Sequence, residues 1–174
     1  NNIDLTIIGP EEPLVDGIVD FLRKDNLKVF GPDKFCSKLE GSKIFTKKIC
    51  EIEKIPTANF SIFKNMKSSL DYLKNKKYPL VVKADGLAAG KGVYISENYS
   101  EAYVAVKEIF NGKFGKAENL LIEEFLIGEE MSFFTIHDGK KFKNFGTAQD
   151  HKRVMEGDRG KNTGGMGAYS PSRL

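Results

Sequence analysis

Lysine, glycine and carboxylate gather in three tight groups along this chain, and each group has a chemistry. The stretch KADGLAAGKGV, residues 83–93, leaves an apolar run at Lys83, crosses Gly86, Gly90 and Gly92, and sets Lys91 between two glycines. Small residues let backbone N–H groups approach a ligand closely, and two lysines neutralise its charge, which is how a triphosphate is held. Taken alone, a glycine-rich hairpin with surface lysines explains the stretch equally well. In IEEFLIGEE, residues 122–130, Glu123, Glu124, Glu129 and Glu130 are dense for a partly buried segment. Its backbone suits reading an adenine edge with Leu126 packed on the ring, and Glu130 suits accepting from two ribose hydroxyls. By itself this segment is better explained as a solvated strand end. In DHKRVMEGDRGKNTGGMG, residues 150–167, Lys152 and Arg153 with the backbone of Asn162, Thr163, Gly164 and Gly165 can form an anion-binding nest. Asp150 is placed to fix an amine or orient a basic partner. A mobile polar surface loop is the plainer alternative there.

The elements that must position these groups are legible in the periodicity. Residues 4–8 read as a short buried strand closed by Gly-Pro, a helical period runs from Leu14 through Leu22, and residues 27–30 read as a second strand. Strand, helix, strand at this spacing is the signature of a parallel α/β unit. Residues 38–54 predict a helix weakened by Gly41 and ended by Pro56; residues 58–63, an edge strand; residues 67–77, a short amphipathic helix. Strands are predicted at 79–83 and 93–96, flanking the glycine loop. Asn98 with Glu101 predicts a helix start resembling a capping box. Strands at 120–126, 131–137 and 141–149 follow, the last two joined by an Asp138-Gly139 turn. The pattern is therefore α/β first and α+β afterwards. No apolar period runs through 150–171, which excludes a core helix or core strand there.

Composition narrows the function. With 40% hydrophobic and 29% charged residues the 174-residue chain reads as globular, with a sizeable core. A net charge of +3, with no basic stripe and no aromatic–basic alternation, argues against nucleic-acid binding. Lys74, Lys76 and Lys77 read as the solvated end of a helix. No apolar run reaches the ~18 residues of a membrane span, and no basic-plus-apolar leader points to secretion. Cys36 and Cys50 lack metal-site spacing and are expected to be free core thiols of a reducing compartment. Neither GxxxxGK[ST] nor GxGxxG is present, so a Walker A loop and an NAD-binding domain are excluded.

Taken in order, LEGSK (39–43), KADGLAAGKGV, IEEFLIGEE, QDHKR (149–153) and NTGGMGAYSP (162–171) resemble the phosphoribosylamine–glycine ligase family of purine biosynthesis, within the ATP-grasp superfamily. GPEEPL (9–14) resembles that family's GPExPL turn. The likeness covers essentially the whole chain. It implies part of a Rossmann-like pre-ATP-grasp domain with its connecting helix over 1–60, a first ATP-grasp subdomain over 61–126 and the start of a second over 127–174. It implies that Lys43 and Lys83 touch nucleotide phosphates, that 86–92 (with Gly86, Gly90, Lys91 and Gly92) cover them, that Glu123 to Leu126 are the adenine hinge and that Glu130 is the ribose carboxylate. Asp150, Lys152, Arg153, Asn162, Thr163, Gly164 and Gly165 would line the substrate wall, with Glu11 near the phosphoribosylamine pocket. No residue stands out as a catalytic acid or base: His151 reads as structural or as part of the substrate wall, and His137 as a hairpin residue.

The implied reaction uses ATP and Mg²⁺ (or Mn²⁺) to ligate glycine to 5-phosphoribosylamine through a glycyl phosphate, in the cytoplasm. The family's first strand is expected before Asn1, and its magnesium-binding carboxylate and asparagine after Leu174. The chain is therefore expected to be an internal piece, incomplete for catalysis alone. Two rivals remain: another ATP-grasp ligase, against which NTGGMGAYSP argues, and a nucleotide-binding fragment without ligase activity.

Overall fold

The computed structural model describes residues 2–88, 91–157 and 159–174, with the side chains of Lys161 and Asn162 left aside. The chain forms two compact units, residues 1–126 and 127–174.

The first unit opens with a small parallel α/β motif. Strand β1 (Thr6–Ile7) leads to helices α1 (Glu11–Asp16) and α2 (Ile18–Lys24) and then to β2 (Val29–Phe30), which pairs with β1 in parallel. The helical stretch expected as one piece is broken at Gly17, whose φ of 97° closes α1 with a left-handed cap that few side-chain-bearing residues accept. The expected burial of the first strand does not hold: Ile7 is 67% exposed, because β1 has a single strand partner and no layer covers it among the described residues. The next helix is likewise split, into α3 (Lys38–Gly41) and α4 (Lys43–Ile52). Ser42 between them is extended, and its hydroxyl accepts from Phe45 N–H, so it ends one helix and N-caps the other.

The rest of the unit is built from β3 (Phe60–Phe63), α5 (Met66–Leu73), β4 (Leu80–Ala84), β5 (Val93–Ser96), α6 (Tyr99–Phe110) and β6 (Leu120–Glu124). These strands form one antiparallel sheet of order β3-β6-β4-β5, which leaves β3 at an edge as expected. Helix α6 is capped by Asn98, whose side chain accepts from Glu101 N–H at 3.0 Å. The Glu101 carboxylate reaches back to Glu97 N–H at 2.9 Å, one residue earlier than a standard capping box.

Strand alternation decides which side chains see the core. Leu80, Val82 and Ala84 of β4, with Leu120 and Ile122 of β6, pack against Leu73 of α5 and Ala102, Ala105, Val106 and Ile109 of α6. The intervening residues, Val81 and Lys83 on β4 and Leu121 and Glu123 on β6, are thereby turned to the opposite face. Val81 is the direct partner of Glu123, and Lys83 that of Leu121. Lys83 and Glu123 are thus diagonal cross-strand neighbours on the face away from α5 and α6.

The second unit is antiparallel. Strands β7 (Ser132–His137) and β8 (Phe142–Asp150) form a hairpin whose turn holds Gly139 at φ 88° and whose Asp138 carboxylate accepts from Lys140 and Lys141 N–H. Strands β9 (Arg153–Met155) and β10 (Arg159–Asn162) form a second hairpin, and β11 (Ala168–Tyr169) pairs with β8. The segment 150–171 therefore carries three short strands, and none of their described side chains is buried. Cys36 and Cys50 are free, but they are not core thiols: Cys36 is exposed and Cys50 half-buried. Cys36 lies in a turn closed by Asp33, whose carboxylate accepts from Cys36 N–H at 2.7 Å.

Candidate functional site

The polar face of the four-stranded sheet is one wall of a cavity of about 1050 Å³ within the first unit. That is the upper end of the range for small-molecule and cofactor sites. Lys43, Lys83, Gly86, Gly92, Glu123, Leu126 and Glu11 all line it. Residues far apart in sequence meet there because helix α4 brings Lys43 and Lys47, one turn apart and on one helix face, to the sheet.

The centre is a buried carboxylate between two ammonium groups. Glu123 is 5% exposed. Its Oε2 accepts from Lys83 Nζ at 2.8 Å, and its Oε1 lies 3.3 Å from Lys47 Nζ. The second contact is an ion pair outside hydrogen-bond geometry, which leaves Oε1 without a hydrogen bond among the described residues. Lys47 is itself buried; it donates to Thr57 Oγ1 at 2.7 Å and to the Ala58 carbonyl at 3.1 Å, and stands over the Phe60 ring.

A second group ties the root of the glycine loop to the start of α4. Asp85 accepts from Ser42 Oγ at 3.1 Å and from Ile44 N–H at 3.2 Å, where a helix N-terminus favours negative charge. Lys43 Nζ donates to the Gly86 carbonyl at 2.7 Å. Burial pushes the Lys43 amine below its ordinary value, with Asp85 opposing the shift and Lys83 adding to it. Gly86 sits at φ 91°. Gly92 is required for space: a Cβ there would stand 2.6 Å from that of Ala88 and 3.2 Å from that of Ala84. Its carbonyl accepts from Ala84 N–H at 2.8 Å, closing the base of the loop.

Three other candidates from the first unit, Gly90, Lys91 and Glu124, are not placed in the cavity lining. Lys91 is exposed and does not line the cavity, and Gly90 lies outside the described residues. Glu124 is off the cavity: its carboxylate accepts from Asn59 N–H at 2.9 Å and Nδ2 at 3.1 Å, which holds it below the usual carboxylate range. Leu126 lines the cavity yet is 62% exposed.

In the second unit, Lys152 bridges Glu130 at 2.5 Å and Asp150 at 3.8 Å. Its carbonyl accepts from Thr163 N–H at 2.8 Å and Thr163 Oγ1 at 2.9 Å, and Gly165 N–H donates to that same hydroxyl at 3.0 Å. Arg153 Nη1 donates to the Gly160 carbonyl at 2.7 Å. Asp150, Lys152, Arg153, Thr163, Gly164 and Gly165 are therefore gathered around one hairpin and the β8–β11 pair, together with the backbone of Asn162. Glu129 pairs with Arg173 at 3.2 Å.

The sequence reading passed over Lys47 and Asp85. Lys47 had a detectable signal in its spacing from Lys43, which puts both on one helix face. Asp85 had only its place at the strand end, inside the loop motif.

The family model described as phosphoribosylglycinamide synthetase, ATP-grasp (A) domain, matches residues 41–174, and the N-domain model of the same family matches residues 1–40. The chain is 53% identical over 171 residues to a phosphoribosylamine–glycine ligase of Mesorhizobium japonicum, covering 98% of this chain and 40% of that protein. It is 55% identical over 174 residues to the ligase of the same name from Pasteurella multocida, covering 99% and 41%. Among solved structures, a Thermotoga maritima phosphoribosylamine–glycine ligase is similar at TM-score 0.83 and 36% identity, over 100% of this chain and 43% of that one. D-alanyl-alanine synthetase A of Vibrio cholerae shares the fold at TM-score 0.70 and 19% identity, over 85% of this chain and 45% of that one. The chain spans about 40% of the length of the curated relatives it matches.

Proposed function

This chain belongs to the phosphoribosylglycinamide synthetase family, and from that membership we propose that the protein carrying it ligates glycine to 5-phosphoribosylamine with conversion of ATP to ADP and phosphate. The observation that carries the proposal is the convergence of Lys43, Lys83, Glu123 and the glycine loop on one cavity. A triphosphate needs cations and close backbone approach, and both are present there.

The reaction asks for positioning and charge stabilisation more than for an acid or base. A glycine carboxylate oxygen attacks the γ-phosphorus, and the bond to the ADP oxygen breaks. The amine of phosphoribosylamine then attacks the glycyl carbonyl carbon, the bond to phosphate breaks and the amine loses a proton. In this scheme Lys43 and Lys83 bind the phosphates, the 86–92 loop covers them, the 123–126 backbone meets the adenine and Glu130 accepts from the ribose. The hairpin residues around Lys152 and Thr163, with Asp150 and Arg153, form the substrate wall, and Glu11 faces the phosphoribosylamine.

A divalent cation, magnesium or manganese, would neutralise phosphate charge in such a reaction. Among the described residues no group of three or more His, Cys, Asp or Glu side chains could hold one. The described residues do not form a metal cage. No helix among the described residues is long and apolar enough to cross a membrane; the proposed compartment, the cytoplasm, rests on the family.

The test is equilibrium ATP binding by the polypeptide that carries this chain. Lys83→Ala is expected to weaken binding by about tenfold or more; unchanged affinity refutes the phosphate assignment. ADP release that depends on both glycine and phosphoribosylamine separates a ligase from a nucleotide-binding piece.

A further inference from the structure

Among the described residues, Lys47 is the one cation lining the cavity for which the proposed reaction has no use. Lys43 and Lys83 are assigned to phosphates, whereas Lys47 is 8% exposed and turned into the protein. Burying an ammonium is strongly unfavourable without hydrogen bonds and a charge partner. The hydrogen bonds come from Thr57 Oγ1 and the Ala58 carbonyl. The charge partner is Glu123 at 3.3 Å, which also holds Lys83 at 2.8 Å through its other oxygen.

Two ammonium groups face one carboxylate, so the triad carries one net positive charge. Without Lys47, Lys83 and Glu123 would form a self-neutral pair. Lys83 could then turn to a phosphate only by stranding a buried carboxylate, which is costly. With Lys47 in place Glu123 stays compensated when Lys83 leaves it. Lys83 is also the more accessible of the two lysines, its side chain 25% exposed against 10% for Lys47.

We propose that Lys47 is a positioning residue that keeps Glu123 compensated, so that Lys83 is free to transfer from Glu123 to the phosphates of a nucleotide. The inference rests on the nucleotide reading of the cavity. Lys47 touches no phosphate itself; it acts through Glu123.

The experiment compares the affinities of the polypeptide that carries this chain for ATP and for adenosine, in wild type, Lys47→Gln and Lys83→Ala. Lys47→Gln is expected to weaken ATP about tenfold while leaving adenosine within about twofold. A merely structural role would lower both alike, and that result, or no loss of either, overturns the proposal. If Lys47→Gln does not fold, Lys47→Arg, which keeps a cation beside Glu123, is compared with Lys47→Met, which removes it: the ATP-over-adenosine preference of Lys47→Arg is expected to exceed that of Lys47→Met about tenfold, and equal preferences overturn the proposal. Failure of the underlying reading looks different. A wild type that does not bind ATP, or a Lys83→Ala variant that binds it as well as wild type, overturns the nucleotide reading and this inference with it. A wild type that binds, a Lys83→Ala variant that does not and an unaffected Lys47→Gln variant overturn the role of Lys47 alone.

Discussion

Removing the Glu123 side chain would test the electrostatics of the site independently of any ligand. In Glu123→Ala the Lys47 ammonium loses its only charge partner among the described residues and keeps two neutral acceptors, Thr57 Oγ1 and the Ala58 carbonyl. Lys83 also loses its partner, but its side chain is a quarter exposed and can be solvated. One ammonium is therefore stranded in the interior, not two. Breaking a buried ion pair by removing one partner costs about 3–5 kcal/mol, and the exposure of Lys83 puts the expected value at the lower end, about 3 kcal/mol. Native-state hydrogen exchange at β4 and β6 reads this locally and avoids the two-state assumption that a chain of two units breaks. Protection of Leu121, Ile122, Val81 and Val82 should fall roughly a hundredfold, the equivalent of about 3 kcal/mol. Glu123→Gln keeps the volume and removes the charge, so it should lose most of the same protection. Removing the carboxylate of Glu124, which is on the surface, should change far less. Loss of less than about fivefold in Glu123→Ala would mean that Lys47 reaches water, and it would refute the buried triad. A neutral Glu123→Gln beside a damaged Glu123→Ala would assign the loss to the cavity left behind and not to charge.

Three other outcomes are expected. Burial lowers the Lys43 amine from its ordinary 10.5, so the unfolded chain binds the extra proton between the two values and stability rises with pH in that window; this contribution is complete above 10.5 and lost as pH falls through the depressed value. Any gain in melting temperature of Lys43→Met over wild type at neutral pH should therefore shrink as pH approaches 10.5, and a constant difference would refute it. Gly92→Ala, whose Cβ would stand 2.6 Å from that of Ala88, should cost about 1–3 kcal/mol in chemical denaturation and displace the loop base; a neutral result would mean that the loop yields freely. Glu130→Ala should reduce the preference for ATP over analogues lacking the ribose hydroxyls, and equal weakening of both would leave Glu130 with only its surface pairing to Lys152.

Much of this protein is local, and what is local was readable. The strand, glycine loop and strand from Leu80 to Ser96, the Asn98 cap, the Asp138-Gly139 turn and the parallel strand–helix–strand opening each follow from residues within a few positions of one another. Where the reading slipped, the fault was also local but finer. Gly17 and Ser42 each cut a periodic stretch into two helices, because apolar period does not register one left-handed or extended residue. Burial of β1 and of Cys36 failed for another reason: apolar character shows what could be buried, not whether a layer arrives to cover it.

The family and the order of the motifs are carried by the chain before it folds, as are the residue types suited to a polyphosphate. Only the tertiary structure decided which charges meet. The register of β4 against β6 places Lys83 diagonal to Glu123 and leaves Glu124 to Asn59. Helix α4 then lays Lys47 beside that carboxylate across a gap in sequence that no period spans. Charge coupling acts over a few ångströms through a low-dielectric interior, and distances of that kind exist only once the strands are paired and the helix is docked.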